Sequence, residues 1–363
     1  MIRVRSAGLA ALTVAVALAV GACAPADTVE PNTTVQASAS PVDREPAPSP
    51  PADPKPAVTW PLTGLDATTA SASDLKRPAL SIKIENTEAA RPQTNLEFAD
   101  VVFEENVEYG ISRLIAVYQS NYPDEVGPIR SMRPMDKNIM GSLGGPLVFS
   151  GAQRRFINDA AASGTVLIAQ DVGSYGFFRT SDKPAPHNLH GHPADFAEQS
   201  KGAVAPKEQW AFAYPGTMAT ATLLGKPTSK IDIRFSSYSH PHWEWNADKS
   251  LWMRYEYDSP HKAASGTQLS ATNVVVIYVT VRETGATSVG MSVPETLVAG
   301  EKGKGFVATG GKRIAVTWSK KSRTAPFVLK DSNGDAVAMA PGQTWWELVP
   351  TNGEFATKVT FSD

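Results

Sequence analysis

From about Ile231 to the C-terminus the sequence carries no helical period, which confines the second half of the chain to sheets. Short segments at 231–235, 242–246, 252–257, 273–281, 305–309, 313–318 and 345–349 alternate apolar with polar residues or run apolar for a few positions. Turn chemistry separates them: Asn333-Gly334 and Pro341-Gly342 supply the backbone freedom of tight reversals. Residues 231–363 are expected to form a mostly β domain, a sandwich or barrel.

Residues 59–205 read differently. Strand-like stretches at 80–85 (LSIKIE), 101–107 (VVFEENV), 114–119 (LIAVYQ), 146–149 and 166–170 alternate with helical candidates at 134–143, 153–162 and 194–199. This is the pattern of an α/β domain, joined by a connecting segment at 206–230 to the β domain, so the fold class expected is α+β. With 42% hydrophobic residues the chain has apolar material for two ordinary domains.

Ahead of both, Arg3 and Arg5 precede an Ala/Leu/Val-rich stretch at 7–20, shorter than the roughly 20 residues that a membrane-spanning helix needs. Small residues then lead into Cys23, so residues 1–22 read as a lipoprotein signal peptide and Cys23 as the lipidation site. Residues 23–58 are rich in Pro, Ala and Ser without apolar period, the composition of a disordered tether. The protein is thus expected on the outer face of a bacterial cytoplasmic membrane, held there by its N-terminal lipid. Cys23 is the single cysteine, so neither a disulfide framework nor a thiol nucleophile is available. The net charge of −2, or −4 once Arg3 and Arg5 leave with the signal peptide, gives no basic field for nucleic acid. No G-x-G-x-x-G, Walker A, H-E-x-x-H or EF-hand pattern occurs, and no cofactor or metal is expected.

Charged chemistry concentrates at 95–136. Read as one strand, 101–108 places Glu104, Asn106 and Glu108 on the face opposite Val101, Phe103 and Glu105. Glu104 and Glu108 would then stand roughly 13 Å apart, too far for a glycosidase pair, and Arg113, Arg130 and Arg133 are the candidate partners. Pro134 disfavours helical geometry at Arg133 and fits the first turn of a following helix. Arg130 and Arg133 would therefore lie beside a helix N-terminus and hold a phosphate or carboxylate. The competing expectation is internal pairing with Glu104, Glu108 or Asp136. His187, in Pro186-His187-Asn188-Leu189, joins the candidate ligand-binding set or organises its loop by a hydrogen bond. A Ser150–His187–Asp171 triad can be written from residue types, but Ser150 lacks the preceding glycine of G-x-S-x-G. Adjacent strand positions face opposite ways, so one ring of Trp345-Trp346 is expected outside.

Several strings are similar to the YerB-like bacterial lipoproteins, a two-domain family of undefined function. They are Pro61-Leu62-Thr63-Gly64, the IKIEN of 82–86, Arg91-Pro92-Gln93, the GPIRSMRP of 127–134 and the PHNL of 186–189. Tyr255-Glu256-Tyr257, Thr317-Trp318 and the PGQTW of 341–345 extend the resemblance through the second half. It implies the same two-domain organisation and no established reaction. Two functions follow from the residues: an envelope binding module whose arginines hold an anionic cell-wall component or envelope protein, or a metal-assisted hydrolase or phosphotransferase acting on an anionic wall polymer.

Overall fold

The computed structural model describes residues 55–354 and 356–363. The signal peptide, Cys23 and the tether up to residue 54 lie outside the described residues. Five strands of the first half form one sheet segment: β1 (Leu80–Glu85), β2 (Val101–Asn106), β3 (Ser112–Tyr118), β4 (Leu147–Phe149) and β5 (Leu167–Ala169). β1 and β2 each run antiparallel to β3, whereas β4 is parallel to both β1 and β5. Helices in this half are short, Asp136–Met140, Arg154–Ala162 and Pro193–Glu198 among them. After Leu224 every regular element described is a strand, so the protein is mostly β.

The C-terminal half does not close on itself. Its strand Thr344–Pro350 runs parallel to β2 on one side and to Asn273–Ser288 on the other, with Trp346 beside Phe103 and Glu347 beside Glu104. One twelve-stranded sheet results, passing from Val328–Lys330 through Lys312–Lys320, Glu301–Thr309, Asn273–Ser288 and Thr344–Pro350 to β2, β3, β1, β4 and β5. The expectation of a self-contained sandwich or barrel over 231–363 is corrected here. The two regions keep their different compositions but share a sheet, because β2 is buried along its whole length and needs a neighbour on its second edge.

A six-stranded sheet, which includes Pro241–Asn246 and Leu251–Glu256, belongs with one face of the main sheet. There Ile82, Val102, Leu114 and Trp345 form a core with Ile231, Trp243 and Trp252. On the opposite face Phe103, Ile115, Val275 and Trp346 pack with Met132, Ile139 and Phe156. Both faces being covered, neither ring of Trp345-Trp346 reaches solvent: they are 1% and 0% exposed. The two rings do point to opposite faces, but the outward-facing ring expected from alternation meets a second layer of protein.

Candidate functional site

Strand register lines up the first set of charges. Glu85 and Glu105 are the direct neighbours of Arg113 on either side, so all three project from one face, joined by Lys83 two residues before Glu85. Lys83 is fully buried; its Nζ bonds Glu105 and lies 3.0 Å from Oδ1 of Asp136. The ammonium thus occupies the space between two carboxylates. Burial, then the charge of Asp136, push the Glu105 carboxyl well above the ordinary range, and Lys83 only partly opposes them.

β2 ends at Asn106, and Tyr109 (φ 64°) and Gly110 (φ 66°) turn the chain through left-handed backbone. Glu108 therefore leaves the strand alternation and meets Arg133 in a bidentate pair: Nε donates to Oε1 at 2.6 Å and Nη2 to Oε2 at 2.7 Å. Nη1 of Arg133 donates to the Met132 carbonyl at 2.9 Å, so each guanidinium nitrogen makes a bond, and the residue is 8% exposed. The helix expected from Pro134 starts at Asp136 and has five residues. Oδ2 of Asp136 accepts the backbone N–H of Arg133 at 2.9 Å, so the place expected for an external anion is taken by a side chain of the helix itself.

Arg113 and Arg130 differ from Arg133 in being only partly buried. Arg113 donates from Nη1 to the Ser131 carbonyl at 3.1 Å. Nε of Arg130 stands 3.3 Å from Oε2 of Glu85, an ion pair without hydrogen-bond alignment, and its Nη atoms bond no protein group among the described residues. Glu85 holds His187 as well: Oε1 lies 3.0 Å from Nδ1 of His187 and accepts the Thr87 hydroxyl at 3.0 Å. His187 is thereby placed beside Arg130 through a shared carboxylate. Burial, then the guanidinium of Arg133, draws Arg113 below the ordinary arginine value; Glu108 opposes the shift, Arg130 adds to it, and Glu85 opposes it less.

Glu104 does not join the arginines. It faces the six-stranded sheet, where Nη2 of Arg254 donates to its Oε2 at 2.8 Å. The same buried guanidinium lies 3.3 Å from Glu256 and 3.5 Å from Glu347, and sits 4.7 Å from the ring centre of Trp345. Its Nε donates to Nδ1 of His261 at 3.1 Å, so Nδ1 carries no proton and Nε2–H donates to Oε1 of Gln93 at 2.8 Å. Burial, reinforced by Arg254 and Arg91, holds His261 well below the ordinary histidine value. Sequence reasoning missed Arg254, which lies 150 residues beyond Glu104. The available signal was the alternation Trp252, Arg254, Glu256, which places a cation among buried aromatics.

Ser150, His187 and Asp171 form no triad. Oγ of Ser150 lies 3.4 Å from Oγ of Ser131, and His187 turns to Glu85. Asp100 accepts the backbone N–H groups of Gln119 and Ser120 at 2.6 and 2.8 Å. Among the described residues no three His, Asp or Glu side chains are arranged to hold a metal. A cleft of about 340 Å³ opens beside Arg133, lined also by Ser131, Gln153 and Asp171 and, from the second half of the chain, Ser288 and Val293.

Residues 62–205 match the N-terminal domain, and residues 231–346 the C-terminal domain, of the protein family of unknown function DUF3048. Over 133 residues the chain is 31% identical to the "Putative lipoprotein YerB" of Bacillus subtilis (strain 168), an alignment that covers 36% of this chain and 39% of that relative. The match thus spans less than two thirds of the relative's length. The crystal structure of the YerB protein from Bacillus subtilis is similar with a TM-score of 0.69 at 20% identity, over 84% of this chain and 99% of that one, which shows a common fold. Both halves matching in order, across the strands and loops that carry both charged clusters, the chain belongs to the DUF3048 family.

Proposed function

We propose that this protein is a membrane-anchored extracytoplasmic lipoprotein that binds an anionic component of the cell envelope through Arg113 and Arg130, with His187 beside them. The observation that carries this reading is that two guanidiniums share one carboxylate, Glu85. Glu108 is committed to Arg133, so Arg113 and Arg130 have Glu85 between them, and Glu85 already serves His187 and Thr87. Phosphate or carboxylate groups suit two planar guanidiniums with N–H donors to spare. Binding is favoured over metal-assisted catalysis because the carboxylates nearby are engaged: Glu105 and Asp136 close on Lys83, and Glu104 on Arg254. The signal-like N-terminus and the name of the Bacillus subtilis relative support anchoring at Cys23.

One experiment tests both halves. The Cys23→Ala form of the full chain is expected in the soluble fraction, and it is titrated calorimetrically with inorganic phosphate and poly(glycerol phosphate). Arg113→Gln and Arg130→Gln should each weaken binding by about tenfold, with a marked dependence on salt. Membrane retention of Cys23→Ala would refute the lipid anchor, and unchanged affinity in both arginine variants would refute the anion site.

A further inference from the structure

Two clefts, of about 610 and 590 Å³, meet at a shared rim of Glu88, Arg91 and Tyr257. The two clefts adjoin at these residues as one groove, which suits a chain-like ligand. Its lining includes none of Arg113, Arg130 or His187. Tyr257 is 38% exposed, and Tyr238, which lines the second cleft, is 63% exposed.

The Tyr257 ring is held in place. Its backbone has φ 51°, a left-handed conformation that strains residues other than glycine. The backbone N–H donates to the His240 carbonyl at 2.9 Å, and the phenol donates to the Ser237 carbonyl at 2.8 Å. A rigid aromatic ring costs little further entropy when a ligand stacks on it.

Charge in the groove is balanced. Arg91 lies 3.4 Å from Glu256, and exposed Glu88 and Lys262 carry opposite signs. A neutral polyhydroxylated chain fits this combination: ring C–H faces stack on tyrosine, and hydroxyls donate to Glu88 and accept from Arg91. We propose that this groove binds a neutral glycan chain, with Tyr257 and Tyr238 as stacking platforms and Arg91 and Glu88 as hydroxyl partners.

The test titrates the soluble Cys23→Ala form of the full chain with neutral tetrasaccharides of N-acetylglucosamine, glucose and mannose. Saturable binding of at least one is expected, undisturbed by excess inorganic phosphate. Tyr257→Gly, which suits the left-handed backbone, and Tyr238→Ala should each weaken it by about tenfold while circular dichroism stays unchanged. The proposal is overturned by failure of all three saccharides to bind, by wild-type affinity in both variants, by displacement with phosphate, or by a proline-rich peptide competing for the groove in their place.

Discussion

Glu104 and Glu105 are sequence neighbours with opposite fates, since a strand sends one to Arg254 and the other to Lys83. Around Arg254 three carboxylates share one fully buried cation, with Arg91 at the margin 3.4 Å from Glu256. Burial, then the charge of Glu104, raise Glu347 well above the ordinary carboxyl value against the pull of Arg254. A raised folded value gives stability that is fully present below the unfolded carboxyl range and declines as pH rises, because the unfolded chain releases its proton first. Glutamine mimics the protonated acid and removes that decline. Glu347→Gln is expected to stay within about 1 kcal/mol of wild type at pH 7 and to gain on it between pH 5 and pH 7, whereas Glu104→Gln should cost about 3 kcal/mol by weakening the closest partner of a buried cation. Urea unfolding at the two pH values measures both, and equal losses at pH 7 would contradict the assignment.

At the scale of elements, β1 to β5 follow from alternation bounded by turn residues, and their limits are legible to within about two residues of the expected segments. The turn after β2 is where local reading fails. Alternation extended through Glu108 predicts a shared face with Glu104, whereas left-handed Tyr109 and Gly110 carry Glu108 round to Arg133. β4 supports the arginine loop through Ser150, whose N–H bonds the Arg130 carbonyl at 3.0 Å just beyond the strand end. At the other end of β4, a Cβ on Gly145 would stand 1.8 Å from the Ala79 carbonyl oxygen, fixed backbone at the entry to β1. A Cβ on Gly151 would meet Oδ2 of Asp171 at 1.7 Å, the movable end of an exposed side chain. Gly145→Ala should therefore destabilise by about 1–3 kcal/mol and Gly151→Ala by clearly less. Thermal denaturation of the two variants ranks them, and the reverse order would show that β1 and β4 have room to part.

For the whole molecule, the parallel insertion of Thr344–Pro350 between β2 and Asn273–Ser288 makes folding of the first half depend on the last strand of the main sheet. A fragment of residues 59–205 would expose one edge of β2 and uncover Phe103 beside its missing neighbour Trp346. That fragment is expected to aggregate or to lack cooperative unfolding, while residues 59–363 unfold in a single transition. A soluble, cooperatively melting 59–205 fragment would show that the halves are independent domains after all.

The sequence by itself determined β1 to β5 and part of the later strands, the change from mixed to purely β pattern near residue 231, the crowding of charge at 95–136 and the family resemblance. Each is a local property, set by side-chain period, turn chemistry or residue order. Only the tertiary structure decided that the two halves share a sheet, that Arg133 is consumed by Glu108 while Arg113 and Arg130 keep donors free, and that Glu104 belongs to Arg254. The reason is that desolvating a charge is costly unless a partner meets it, and those partners arrive from strands and turns far away along the chain.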